Sequence, residues 1–177
     1  MARRDRPGES RVRSPLLMLA MVMLLAGRSG AAERGPSSPA EREEAVILNR
    51  LLETEPAGAE ADVARQWLTA WIASVPDVSV KLCVDLVGPV ATSEAPYSPQ
   101  LTAQLLFSGA AFVIENPDAA ADDGAVYLAA LLGVLRTYEA LVRRDSSARS
   151  AFLDELLDER EGGRLASYVS IAAKNCL

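Results

Sequence analysis

The sequence predicts an all-α protein, a compact bundle of five or six helices with short connections, preceded by a cleavable signal peptide. Three observations lead there. Half of the 177 residues are apolar but only 5% are aromatic, and the abundant alanine and leucine suit close helix packing better than the Val, Ile, Thr and aromatic usage of strands. Apolar residues recur at i, i+3 and i+4 along most of the chain. The breaks between these periodic stretches are short and carry helix-stop and helix-start residues. A chain of this length supplies one hydrophobic core and is too short for two ordinary domains. The reading divides it into a signal peptide over 1–31, a flexible linker over 32–39 and a helical domain over 40–177.

The first segment reads as an address. Arg3, Arg4, Arg6, Arg11 and Arg13 precede an uncharged apolar run from Leu16 to Ala26, and Ser29, Gly30, Ala31 and Ala32 follow it. A positive region, an apolar stretch and small residues at a cleavage site make a secretory signal, with cleavage after Ala31 or after Ala32. The alternative is a membrane-spanning helix, but this apolar run reaches only ~17 Å against a hydrocarbon core of ~30 Å. Asp5, Arg6, Pro7 and Gly8 follow Arg3-Arg4 where a twin-arginine signal carries an apolar stretch, which favours the general secretion route. The expected product is a secreted or periplasmic protein with no stable membrane span after cleavage.

Glu33 to Pro39 has linker composition. Ser38 and Pro39 then cap and open a first helix, with Glu41, Glu43 and Glu44 near its positive end and Ile47, Leu48, Leu51 and Leu52 on one face. Pro56 and Gly58 end it. A second helix from about Glu60 to Ser74 places Ala64, Trp67, Leu68, Trp71 and Ile72 on a common stripe before Pro76. Residues 78–87 fit two patterns: Val78, Val80, Leu82 and Val84 alternate as in a strand, and Val80, Cys83, Val84 and Val87 sit as on a helix. A short helical or irregular buried segment is the favoured reading, because no second strand exists to pair with it.

Gly88 to Pro99 reads as the longest loop. Ser98 caps and Pro99 opens a third helix that ends at Asn116-Pro117, and its small run Ser108, Gly109, Ala110, Ala111 permits a close helix approach. Asp122 or Asp123 caps a fourth helix to about Arg144, apolar almost all round in its first half and hence expected at the centre of the core. Ser146 or Ser147 starts a fifth helix with Phe152, Leu153, Leu156 and Leu157 inward and Asp154, Glu155, Asp158 and Glu159 outward; Gly162-Gly163 breaks it. A last helix from Arg164 to about Asn175 turns Leu165, Tyr168, Val169, Ala172 and Cys176 inward.

Histidine is absent from the sequence. That removes Ser-His-Asp and Cys-His nucleophile activation, histidine acid/base catalysis and the imidazole ligands of most zinc sites. Two cysteines alone cannot complete a structural zinc site, and no metal and no cofactor is expected. The net charge is −6, and it falls to about −10 once the arginine-rich signal is removed, which repels the phosphate backbone on which nucleic-acid affinity rests.

The remaining candidates have a structural and a functional reading each. Trp67 and Trp71, at i and i+4, are expected in the core, with a carbohydrate- or peptide-binding surface as the functional alternative. Asp154, Glu155, Asp158, Glu159 and Glu161 read as a solvated face rather than a calcium site, and Asp118, Asp122 and Asp123 as capping residues rather than ligands. Ser170 and Lys174 stand one turn apart, as in Ser-Lys nucleophilic catalysis, although a lysine near a helix C-terminus already has a structural purpose. Glu115, Asp85 and Asp77 are candidate acid/base carboxylates. Cys83 and Cys176, the only thiols, are expected to form an intramolecular disulfide in an oxidising compartment. The leading functional expectation is a non-enzymatic exported protein that binds a protein or cell-envelope component, basic if electrostatically steered. A carboxylate-dependent hydrolase acting on an envelope substrate is the alternative.

Overall fold

The computed structural model describes residues 34–176, all of them in one compact unit; the signal-peptide reading lies outside these residues. Six α-helices carry the fold: α1 (Pro39–Thr54), α2 (Ala59–Ser74), α3 (Ser98–Glu115), α4 (Asp123–Arg144), α5 (Ala151–Glu161) and α6 (Leu165–Ala172). No strand occurs among the described residues. The most extensive packing is between α3 and α4. On one side of this pair, α1 and α2 enclose a core of Leu52, Leu68, Trp71 and Phe107; on the other, α5, α6 and a 3₁₀ segment enclose Leu86, Leu131, Leu135 and Leu153. By length and apolarity α4 is able to span a bilayer, but 61% of its most apolar stretch is buried inside the domain, which is the environment of a core helix.

The start of α1 follows the sequence signals. Ser38 Oγ accepts from the Glu41 amide at 3.3 Å and Glu41 Oε2 accepts from the Ser38 amide at 2.8 Å, a capping box with Pro39 in the first helical position. The residues just before it are held as well. The Ser37 amide donates to Asp77 Oδ1 at 2.7 Å, the Ser37 hydroxyl to Asp77 Oδ2 at 2.8 Å, and Arg42 to Asp77 Oδ2 at 2.6 Å. Ser37 is buried, so the end of the expected flexible linker is fastened to the α2–α3 connection.

The ambiguous segment resolves into two parts. Residues 75–83 are irregular, with Val78 buried and Leu82 48% exposed, so the strand-like alternation is not a half-buried strand. A 3₁₀ segment then runs over Val84–Thr92 and buries Cys83, Leu86, Val87 and Val90 at helical spacing. Val84, placed inward by the sequence reading, is 40% exposed; the inward register starts from Cys83 instead. The segment kinks at Gly88, whose φ of 48° belongs to glycine, and a Cβ there would lie 2.7 Å from the Phe152 ring. The expected loop from Gly88 to Pro99 is therefore shorter than its prolines suggested.

Two helix starts differ from expectation. Tyr97, at φ 67°, takes the N-cap position of α3 and Ser98 becomes its first residue. Tyr97 is held there by its hydroxyl, which donates to Asp145 Oδ2 at 3.0 Å. Ser146–Ala148 forms a separate 3₁₀ turn capped by Asp145, and Ser150 caps α5. Asp122 does cap α4, accepting from the Ala125 amide at 3.1 Å. The small run of α3 provides the close approach expected of it: Ser108 sits over Gly133 of α4, and a Cβ at Gly133 would also lie 2.7 Å from Glu53 Oε1.

Candidate functional site

Where α1 and α2 face solvent, Leu48, Leu51, Val63, Ala64 and Trp67 line an apolar groove of about 440 Å³. Its apolar character follows from a divided helix face. On α1 the buried stripe runs through Ala45, Val46, Asn49, Leu52 and Glu53, leaving Leu48 and Leu51 half-buried at its margin and Ile47, expected inward, 51% exposed. On α2, Trp67 and Trp71 stack with ring centroids 5.6 Å apart and planes 12° from parallel. Trp71 belongs to the core, only 4% exposed, whereas Trp67 is half-buried and forms groove wall. Trp71 thus lies in the core as expected, and Trp67 does so only in part. Val63, 67% exposed, stands at the rim.

Carboxylates frame this groove. Glu44 and Glu60 line it, and a smaller recess of about 210 Å³ that shares Leu51, Ala59 and Glu60 adds Glu55. None of the three forms an ion pair with another described residue, in contrast to Glu41 with Arg34 and Asp62 with Arg65. An apolar trough with unpaired negative charge along it can accept apolar side chains flanked by cations.

A second feature, missed by the sequence reading, is a polar cluster buried among α1, α3 and α4. Arg136 grips Glu53 with Nε to Oε2 at 2.7 Å and a terminal nitrogen to Oε1 at 3.0 Å. Asn49 donates to Glu53 Oε1 at 3.1 Å, and the Gln104 amide donates to Asn49 Oδ1 at 2.7 Å and Ser108 Oγ at 2.9 Å. The Ser108 hydroxyl closes the network, 3.0 Å from Glu53 Oε1 and 3.1 Å from Asn49 Oδ1. Its signal in the sequence was polar residues at i, i+4 on inward stripes, Asn49 with Glu53 and Gln104 with Ser108. Every partner is satisfied within the protein, so the cluster fixes the register of three helices and leaves no free base beside Ser108. Above it, Arg50, Glu115 and Arg136 border a cavity of about 290 Å³, where Arg50 pairs with Glu115.

The other candidates disperse. Asp77 anchors Ser37, Glu115 pairs with Arg50, and Asp85 lies beside Tyr168, whose hydroxyl donates to the Leu86 carbonyl at 3.1 Å. Two members of the acidic run of α5 are engaged: Asp154 accepts from Tyr138 at 2.7 Å and from Arg149, and Glu159 pairs with Arg164. No group of three or more acidic or cysteine side chains suited to a metal ion occurs among the described residues. Asp123 pairs with Lys81 at 2.5 Å.

Carboxyl groups displaced from their ordinary pKa all move downward. The Ser37 amide and hydroxyl, with Arg42, hold Asp77 at about 2; Ser38 lowers Glu41, Arg160 lowers Glu139 and Ser147 lowers Asp145. Cys83 and Cys176 stand at disulfide distance, with Cα atoms 5.4 Å apart across 93 residues of sequence. In comparisons with known proteins, no family model, no curated protein and no solved structure matches this chain.

Proposed function

We propose that this is an exported, non-enzymatic binding protein that takes an apolar, positively flanked segment of a partner protein into the groove between α1 and α2. The observation that carries the reading is the combination of half-buried Trp67 and exposed Val63 with three unpaired carboxylates, Glu44, Glu55 and Glu60. Aromatic walls with apolar neighbours anchor protein partners, and a charged rim of one sign steers them. Export is supported by the arginine-flanked apolar segment at the N-terminus and by the Cys83–Cys176 pair, which suits an oxidising compartment. A carboxylate-dependent hydrolase uses two convergent carboxyl groups, one of them as a general acid; Glu53 and Glu115, which share the cavity above the polar cluster, are each paired with an arginine, and Glu44 and Glu60 flank an open apolar groove.

A photo-cross-linking residue at Val63, compared with one at the exposed Ser167 on α6, tests the proposal in the expressing cell. The expected result is adducts with a basic protein from the Val63 site alone, diminished by added salt and by the paired charge reversals Glu44→Lys and Glu60→Lys. Equal adducts from both sites, or adducts indifferent to the charge reversals, would overturn it.

A further inference from the structure

A cavity of about 450 Å³ opens between the start of α4 and one face of α6 with the 3₁₀ turn, Ala173–Asn175, that follows it. Its wall is mainly apolar, with Ala125, Leu128, Val169 and Ala173 contributing. Tyr127 is part of that wall and is only 2% exposed, yet its hydroxyl is buried and has no hydrogen-bond partner among the described residues. Buried hydroxyls are nearly always satisfied, so an orphan on a residue that lines an open cavity is a donor still to be matched.

The neighbouring charges say what kind of acceptor. Asp122 is occupied by the Ala125 amide and Asp123 by Lys81. Lys174 lines the same cavity and forms no hydrogen bond or ion pair with another described residue. Asp123 is thus neutralised by Lys81 and Asp122 keeps its charge at the helix cap, whereas the Tyr127 phenol, the Ser170 hydroxyl and the Lys174 ammonium are lining donors with no partner among the described residues. The N-terminal end of α4, a helix of 22 residues, adds positive potential at the cavity mouth. We propose that this cavity binds a small molecule with an apolar body and a carboxylate, of the size of a medium-chain fatty acid. The body fills the apolar wall, and the carboxylate accepts from Tyr127 and pairs with Lys174. The volume falls within the usual range for such sites, ~300–1,000 Å³.

Three ten-carbon probes with one body and different heads provide the test: decanoate, decanol and decylammonium, titrated calorimetrically into the purified protein. The expected result is one decanoate per chain, bound ~10-fold or more tightly than the other two because a charge-assisted contact is made only with the acid. Lys174→Met, at an exposed position, should erase most of that preference, and Tyr127→Phe should weaken decanoate several-fold. Ala166→Trp, at the exposed mouth of the cavity, should abolish binding, while Val63→Trp in the α1–α2 groove leaves it unchanged. Equal affinity for the three probes, no binding at about 1 mM, or binding lost with Val63→Trp and kept with Ala166→Trp would each overturn the assignment.

Discussion

Arg136 and Arg50 each hold a glutamate at the rim of one cavity, but the two contacts differ in worth. Glu53 is 8% exposed, whereas the Glu115 side chain is 41% exposed. Removing the arginine from a buried carboxylate leaves an uncompensated charge, and removing it from an exposed one leaves a solvated ion. Arg136→Met should therefore cost ~2 kcal/mol in urea unfolding, reduced from the fully buried figure because Arg136 itself is half in solvent, and Arg50→Met less than ~0.5 kcal/mol. Similar losses would show that the polar cluster is not a buried determinant. Asp77 predicts a pH effect. Its folded pKa of about 2 lies below the ordinary 3.8, so its stabilising anchorage of Ser37 is complete above the unfolded value and is lost as pH falls from about 4 through about 2. The Ser37 amide resonance should titrate with its midpoint at the low end of that window, at about 2, and Asp77→Asn should remove the step. Neither contact was read from sequence: a stripe reading selects apolar positions and passes over the i, i+4 polar pairs Asn49–Glu53 and Gln104–Ser108, and Asp77 entered only as a candidate acid/base carboxylate.

Two helix starts were legible from local spacing, the second as a choice between Asp122 and Asp123. Ser38 with Glu41 and Asp122 with Ala125 form the caps that their spacing implies. Ser98 and Ser146 lost that position to a local alternative: Tyr97 is pinned by Asp145, and Ser150 lies one turn closer to the apolar stripe of α5. The tertiary contact decides, and sequence does not display it. Residues 78–87 were ambiguous for a related reason, since a 3₁₀ segment with a glycine kink matches neither a strand nor an α-helix period. Gly88→Ala tests the kink. The alanine would enter a glycine conformation and meet the Phe152 ring, so a loss of roughly 1–3 kcal/mol is expected in thermal or urea unfolding. A neutral result would mean that the segment relaxes freely. The apolar groove owes its existence to the same partial legibility: Trp67 and Trp71 share a face, but only the packing of α1 shows which one remains half-open.

The all-helical bundle was legible because its signals are redundant along the chain, and the central place of α4 followed from its apolarity alone. The α1–α2 groove and the α4–α6 cavity were not, since the first depends on how two consecutive helices pack and the second joins residues far apart in sequence. The Ser170–Lys174 pair and the Asp122–Asp123 cluster are unrelated features in sequence, and the fold brings them to one cavity. Oxidation of Cys83 and Cys176 is the whole-domain prediction. Closing a loop of 93 residues stabilises by ~4–5 kcal/mol on the chain-entropy model, an upper figure. Against a typical total of ~5–15 kcal/mol, the reduced protein should unfold at a clearly lower temperature than the oxidised one. Coincident melting curves with and without reductant would show that the bridge contributes nothing.

Both ends of the described chain are fastened to one short stretch: Ser37 to Asp77 at one end, Cys176 to Cys83 at the other. Only five residues lie between these two anchor points, a span of at most ~21 Å fully extended from Asp77 to Cys83. With the cysteines joined, tension applied between the two ends runs through that stretch and the covalent bridge, and the helices after Cys83 carry none of it. The domain is then mechanically a clip, able to be pulled from a surface or a partner by its ends without unwinding α3 to α6.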